Sequence, residues 1–202
     1  TCALPILGRL IINGVFGGGK DGERLRRMVD EKDIEVVVPK EGDKLRFDDL
    51  RFDILWPEKR MGRSLAWSDN KRDDLTSEMV LGKNTDVNEV SVVGLLRHGE
   101  FEVLLTGDIG EDQEKKLLRK GFSGEIDVLK VAHHGSRYSS SDEFIEKVSP
   151  KIAVIQVGKN HFGHPTREVL EKLEKVGARV FRNDLDGDVE VVSDGEGFWV
   201  ED

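Results

Sequence analysis

The chain has 202 residues, 37% apolar and 35% charged, a balance that suits a globular α/β domain able to bury a real core. Its 40 acidic against 31 basic side chains leave a net charge of −9, which excludes a general basic field for nucleic acid and leaves any anionic substrate to a local positive centre. The single Cys2 excludes an intrachain disulfide framework or a cysteine-rich zinc knuckle, and no apolar run reaches membrane-spanning length.

The opening Thr1 to Ile6 fits neither a leader nor a helix and matches one frame of a common sequencing adapter. Residues 1–7 therefore read as non-native, on a chain cut at its N-terminal side. Leu10 to Phe16 is β-rich and closes on Gly17-Gly-Gly19; Asp21 then caps a helix over Glu23 to Val29. Ile34 to Val38 predicts a β-branched strand, and Leu45 to Trp56 a hairpin turning at Asp48-Asp49. Residues 58–86 are polar and aperiodic, a long surface loop with Trp67 as its anchor. A second hairpin, Val90 to Leu96 and Phe101 to Leu105, turns at Arg97-His-Gly-Glu100. From there strands alternate with helices. Helices are predicted over Glu111 to Arg119, Ser141 to Val148 and Arg167 to Val176, and buried strands over Ile126 to Ala132 and Ile152 to Val157. Val180-Phe181, Val189 to Val192 and Phe198 to Val200 close the chain as strands. Hairpins followed by strand–helix repeats point to sheets with outer helices, in one domain over residues 1–202.

Three strand ends carry chemistry. Leu104-Leu-Thr-Gly-Asp108 delivers a carboxylate after an apolar run, either as a helix-capping turn or as a site residue. Asp127-Val-Leu-Lys-Val-Ala-His-His-Gly-Ser136 delivers two imidazoles, which alternation along a strand would send in different directions, one to a metal and one to substrate. Gly135 leaves room for a ligand to approach, and Ser136 offers a hydroxyl to a phosphate oxygen. Gly158-Lys-Asn-His-Phe-Gly-His-Pro165 adds His161 and His164, with Lys159 and Asn160 placed to meet an anionic oxygen. His98 falls in a hairpin turn and reads as solvent-facing, and Asp184, Asp186 and Asp188 read as a turn without the downstream pattern of a calcium loop. No nucleophile elbow, phosphate-binding P-loop or dinucleotide fingerprint is present.

Taken in order, Gly42-Asp-Lys-Leu45, Leu55-Trp-Pro57, Asn88-Glu-Val-Ser-Val-Val93 and the three site segments resemble the C-terminal metallo-β-lactamase-like domain of the ComEC competence family, over nearly the whole chain. The resemblance implies a four-layer αββα sandwich, incomplete at its N-terminal side. It implies that Asp108 and His133 are metal ligands, that His134, Lys159 and His164 take part in catalysis, and that Ser136 and Asn160 touch substrate. It further implies two divalent cations, zinc or manganese, DNA as substrate, and nuclease chemistry degrading the strand that is not imported. The superfamily's first metal motif, HxHxDH or HxDxDH, is not in the sequence, and its place in the family precedes Thr1. On this reading the whole protein is a bacterial membrane protein whose membrane segments lie upstream, with this domain outside the bilayer. Two alternatives stay open: a free-standing cytoplasmic hydrolase of the same superfamily, and a metal-free domain that only binds.

Overall fold

A computed structural model describes residues 9–13, 19–58 and 86–201. The Trp67 loop expected over 58–86 lies almost wholly outside the described residues, as do residues 14–16 of the first expected strand. The described chain opens with β1 (Arg9–Ile11), α1 (Gly19–Glu31) and β2 (Glu35–Val37), a βαβ unit whose two strands pair in parallel. Two antiparallel hairpins follow, β3 (Lys44–Phe47) with β4 (Leu50–Trp56), and β5 (Val93–His98) with β6 (Phe101–Leu105). Then come α2 (Glu111–Arg119), β7 (Val128–Lys130), α3 (Asp142–Val148), β8 (Ile152–Ile155), α4 (Arg167–Lys175), β9 (Arg179–Arg182), the short α5 (Asn183–Asp186), and the hairpin β10 (Glu190–Ser193) with β11 (Phe198–Glu201).

Seven strands form one sheet in the order β3-β4-β5-β6-β7-β8-β9. Its first half is antiparallel, as hairpin signals dictate, and its second half is parallel, as crossover helices dictate. Strand β6 is the seam between the two halves. Alternation along the strands sorts the core into two faces. Leu104, Leu129, Ala153 and Ile155 point to one face and meet Leu117 of α2, Phe144, Ile145 and Val148 of α3, and Val169 and Leu173 of α4. Phe101, Val128 and Ile152 point to the other and meet Val191, Phe198 and Val200 of the β10–β11 hairpin. Helices, large sheet and a second layer of strands are stacked in that order, the α/β sandwich expected from the sequence.

Helix α2 is fixed at its start by Glu114, which is fully buried and accepts from the backbone N–H groups of Ser140 at 2.5 Å and Ser141 at 2.8 Å. Burial raises its carboxyl pKa above the ordinary value while these two donors pull it back down. Trp56 is wholly buried and its indole N–H donates to the Glu89 carbonyl at 2.6 Å, tying β4 to the 3₁₀ turn Val87–Val90 that precedes β5. The acidic cluster near Asp184, expected to be a turn, winds instead into the single helical turn α5: Asp186 accepts from the Arg182 backbone N–H and Asp184 pairs with the Arg182 guanidinium. Among the described residues no helix is long and apolar enough to cross a membrane.

Candidate functional site

The C-terminal ends of β6, β7 and β8 lie side by side, because parallel pairing aligns strand ends in register. Asp108 leaves the end of β6 in the turn before α2. That turn needs glycine at 107: its φ is +58°, and a Cβ there would meet Ser91 Cβ at 2.7 Å. Ser91 also supports the carboxylate residue directly, its hydroxyl accepting from the Asp108 backbone N–H at 3.2 Å. The Gly107 carbonyl accepts from the His133 backbone N–H at 3.2 Å, which bolts the second strand end to the first.

The two histidines do not sit on a strand. Strand β7 stops at Lys130, and Ala132–Gly135 form a tight turn with His133 at φ 48° and His134 at φ 56°. Both are left-handed, a strained region in which non-glycine residues cluster at functional sites. The expected alternation is therefore replaced by a turn that splays the rings, 6.4 Å apart at 71°. His134 Nδ1 donates to the Gln156 carbonyl at 2.6 Å, which leaves Nε2 of the neutral ring as an acceptor. That Nε2 lies 3.8 Å from Asp108 Oδ2. His133 faces the other flank, in a groove with Asp108 and Tyr138, and its ring is 6.0 Å from that of His164.

Other expected site residues hold different posts. Gly135 serves packing, since a Cβ there would meet Pro165 Cβ at 2.5 Å. Ser136 is 1% exposed and its hydroxyl accepts from the Tyr138 backbone N–H, so this placement does not suit the substrate contact expected of it. Asn160 spends its whole carboxamide on its own loop. It donates to the Gly158 and His164 carbonyls and accepts from the Phe162 and His164 N–H groups. These bonds clamp the loop from within, and Asn160 also lines a cleft with His134 and His164. Lys159 lines the same cleft, as does Asn183. His161 is exposed.

Sequence reasoning overlooked Lys130. Its ammonium donates to the Gly107 carbonyl at 3.1 Å and lies 3.9 Å from Asp108 Oδ1. Burial lowers its pKa and the Asp108 carboxylate opposes that shift. A charged residue inside the apolar run Asp127-Val-Leu-Lys-Val131 was the available signal. Ser91, Gln156 and Tyr138 also went unremarked. Ile12 and Asn13, just after β1, close one side of the recess that holds Asp108, Lys130 and His134.

A carboxylate with imidazoles is a donor set that suits a divalent cation of borderline hardness. Its chemistry fits, but its number does not. Among the described residues no three metal-capable side chains converge. Asp108 and His134 are a pair, not a complete coordination sphere.

Comparison with known proteins gives several curated relatives, each matched over part of its length. The chain is 31% identical over 183 residues to ComE operon protein 3 of Bacillus subtilis, covering 90% of this chain and 21% of that protein. It is 38% identical over 108 residues to competence protein ComA of Neisseria gonorrhoeae, covering 52% of this chain and 16% of that one. The chain thus spans about a fifth of the length of these relatives or less. Among solved structures, CmlA, a diiron β-hydroxylase from Streptomyces venezuelae, matches with a TM-score of 0.47 and 13% identity over 88% of this chain and 39% of that one. No family model matches.

Proposed function

From the chain's kinship with the competence proteins of the ComEC family, we propose that it is the metal-dependent hydrolase domain of a DNA-uptake protein, cleaving phosphodiester bonds of DNA. The observation that carries this reading is the meeting of Asp108 and His134, 3.8 Å apart on neighbouring strand ends, with His133 on the other flank of the same carboxylate. Kinship over 90% of the chain supports the polymer as substrate.

On this reading Asp108 and His133 hold metal, and His134, His164 and Lys159 stand around the substrate. Zinc or manganese held there would supply Lewis acidity and the activation of water. The chain's own part is positional. Gln156 fixes the His134 tautomer, Ser91 and Gly107 hold the Asp108 turn, and the Lys130 ammonium balances the carboxylate's charge while the site is assembled. The wider setting we propose is a bacterial membrane protein with this domain outside the bilayer.

The whole protein that we propose carries this domain, supplied with Mn²⁺ or Zn²⁺, is expected to hydrolyse bis(p-nitrophenyl) phosphate and DNA. Asp108→Asn should lower turnover at least a hundredfold, in line with the loss of a metal-site residue. Metal content of His133→Ala and His134→Ala separates the two imidazoles: the ligand variant loses metal, the substrate-facing variant keeps metal and loses turnover. Full activity in Asp108→Asn would sink the proposal. The alternative reading is a metal-free domain that binds DNA. DNA binding that persists in a protein shown to take up no metal selects it.

A further inference from the structure

Phe162 is 82% exposed, a costly position for a large apolar ring. Its surroundings hold it there. The Asn160 carboxamide is saturated by four backbone groups of residues 158–164, so the loop is clamped from within. Only one orientation of that amide satisfies two carbonyls and two N–H groups together. One face of the Phe162 ring lies on the His164 imidazole, centroids 5.9 Å apart and planes 22° from parallel. The exposure of the ring leaves the other face to solvent.

Beside this ring runs a cleft of about 440 Å³ lined by His134, Val157, Gly158, Lys159, His164 and Asn183. Basic side chains elsewhere are repeatedly tied to carboxylates, as in Lys115–Glu111, Lys120–Glu41, Lys151–Asp127, Lys175–Glu146 and Arg182–Asp184. Lys159 has no hydrogen-bond or ion-pair partner among the described residues, and it stands on the rim of this cleft. Arg137 is close enough to His164 to disfavour its protonation. In a chain of net charge −9, uncompensated cations beside an open aromatic face are matched to an anionic, ring-bearing ligand.

We propose that Phe162 is a stacking platform for an unpaired nucleobase, with Lys159 on the neighbouring phosphate, so that the site takes single-stranded rather than duplex nucleic acid. The identity of the polymer rests on the DNA reading above; the preference for a free base rests on the ring. Bases stack on aromatic side chains with little regard to sequence, because every base has a π-face. Away from its ends, a duplex keeps both faces of each base within its own stack and offers none to Phe162.

Fluorescence anisotropy with oligothymidylate and an abasic strand of equal length tests this directly, since the two share phosphates and differ only in bases. The wild-type protein should bind oligothymidylate about tenfold more tightly than the abasic strand. Phe162→Ala should abolish that difference, Phe162→Trp should keep it, and Phe162→Leu, apolar without a π-face, should not restore it. Lys159→Ala should weaken both strands alike and flatten the salt dependence. Equal binding of the two strands by the wild type, binding of neither, an unchanged preference in Phe162→Ala, or self-association of the chain through Phe162 would each overturn the proposal. Hydrolysis of bis(p-nitrophenyl) phosphate by the wild type is scored separately. Base preference without turnover sinks the nuclease reading alone, and turnover without base preference sinks the stacking platform alone.

Discussion

His164 shows how neighbours in space retune a side chain whose neighbours in sequence are unremarkable. Burial first, then His133, His134 and Arg137, hold its imidazole below the ordinary value of 6.5. The folded state therefore binds this proton less readily than the unfolded chain. Its contribution to stability is complete above 6.5 and is lost as pH falls from there towards the folded-state value. In the metal-free protein, the proton NMR titration of the His164 ring should have its midpoint below 6.5, and a midpoint at or above 6.5 would contradict the crowding described. The candidate residues Asp108, His133 and His134 stand out in the sequence because they follow apolar runs, and His164 because it lies in the polar loop after the next such run. Their directions do not. The left-handed turn at 133 and 134 depends on Gly135 packing against Pro165, thirty positions away, and no local pattern announces such a contact. Lys130 was hidden for a similar reason: its charge is explained only by the Gly107 carbonyl and Asp108 carboxylate that it meets across the sheet.

At the scale of elements, a single buried carboxylate ties two helices together. Glu114 of α2 serves the first N–H groups around the start of α3, where a helix has donors and no acceptors of its own. Glu114→Gln keeps the shape but presents an NH₂ to one of those donors. It should cost about 1–3 kcal/mol in urea unfolding, the usual loss for a buried donor left unpaired. Because burial raises the Glu114 pKa, the wild type gains from this group below pH 4.5 and loses that gain as pH rises through the folded-state value. The variant should lack that dependence, and an unchanged unfolding midpoint would refute the tie. Helices and hairpins were legible from periodicity and turn residues, with α2 at its predicted bounds and α3 and α4 within a residue of theirs. Strand β7 came out shorter than its apolar run, three residues in place of seven, because Ala132 already belongs to the histidine turn and Val131, buried beside it, keeps a single hydrogen bond to the Val154 carbonyl at 2.9 Å. An apolar run records burial, and burial is not pairing.

For the molecule as a whole, the last hairpin is what covers the face of the sheet opposite the helices. Phe198 of β11 packs on Phe101 with ring centroids 5.1 Å apart, over Val128 and Ile152. Phe198→Ala should lower stability by about 2 kcal/mol, less than for a fully enclosed phenylalanine because this ring is only half-buried. Thermal unfolding would show it, while oligonucleotide binding at the other end of the strands should not change; an unaltered melting temperature would mean that the hairpin covers nothing of consequence. The division of the sheet into antiparallel and parallel halves was implicit in hairpins followed by strand–helix repeats, but the order of strands and the two-faced core emerge only from the pairing itself.

The three loops that carry the site are fastened to one another, not only to the sheet. The Gly107 carbonyl holds the His133 N–H, the Gly135 carbonyl holds the Thr166 N–H at 2.9 Å, and Gly135 itself fits only because Pro165 is where it is. Residues joined in this way do not vary independently. Loops at strand ends are ordinarily the freely exchangeable part of a fold, open to insertion and to new chemistry one at a time. Here a change in one loop must be answered in the other two, so the heritable unit is the trio, and descent should preserve or discard it together.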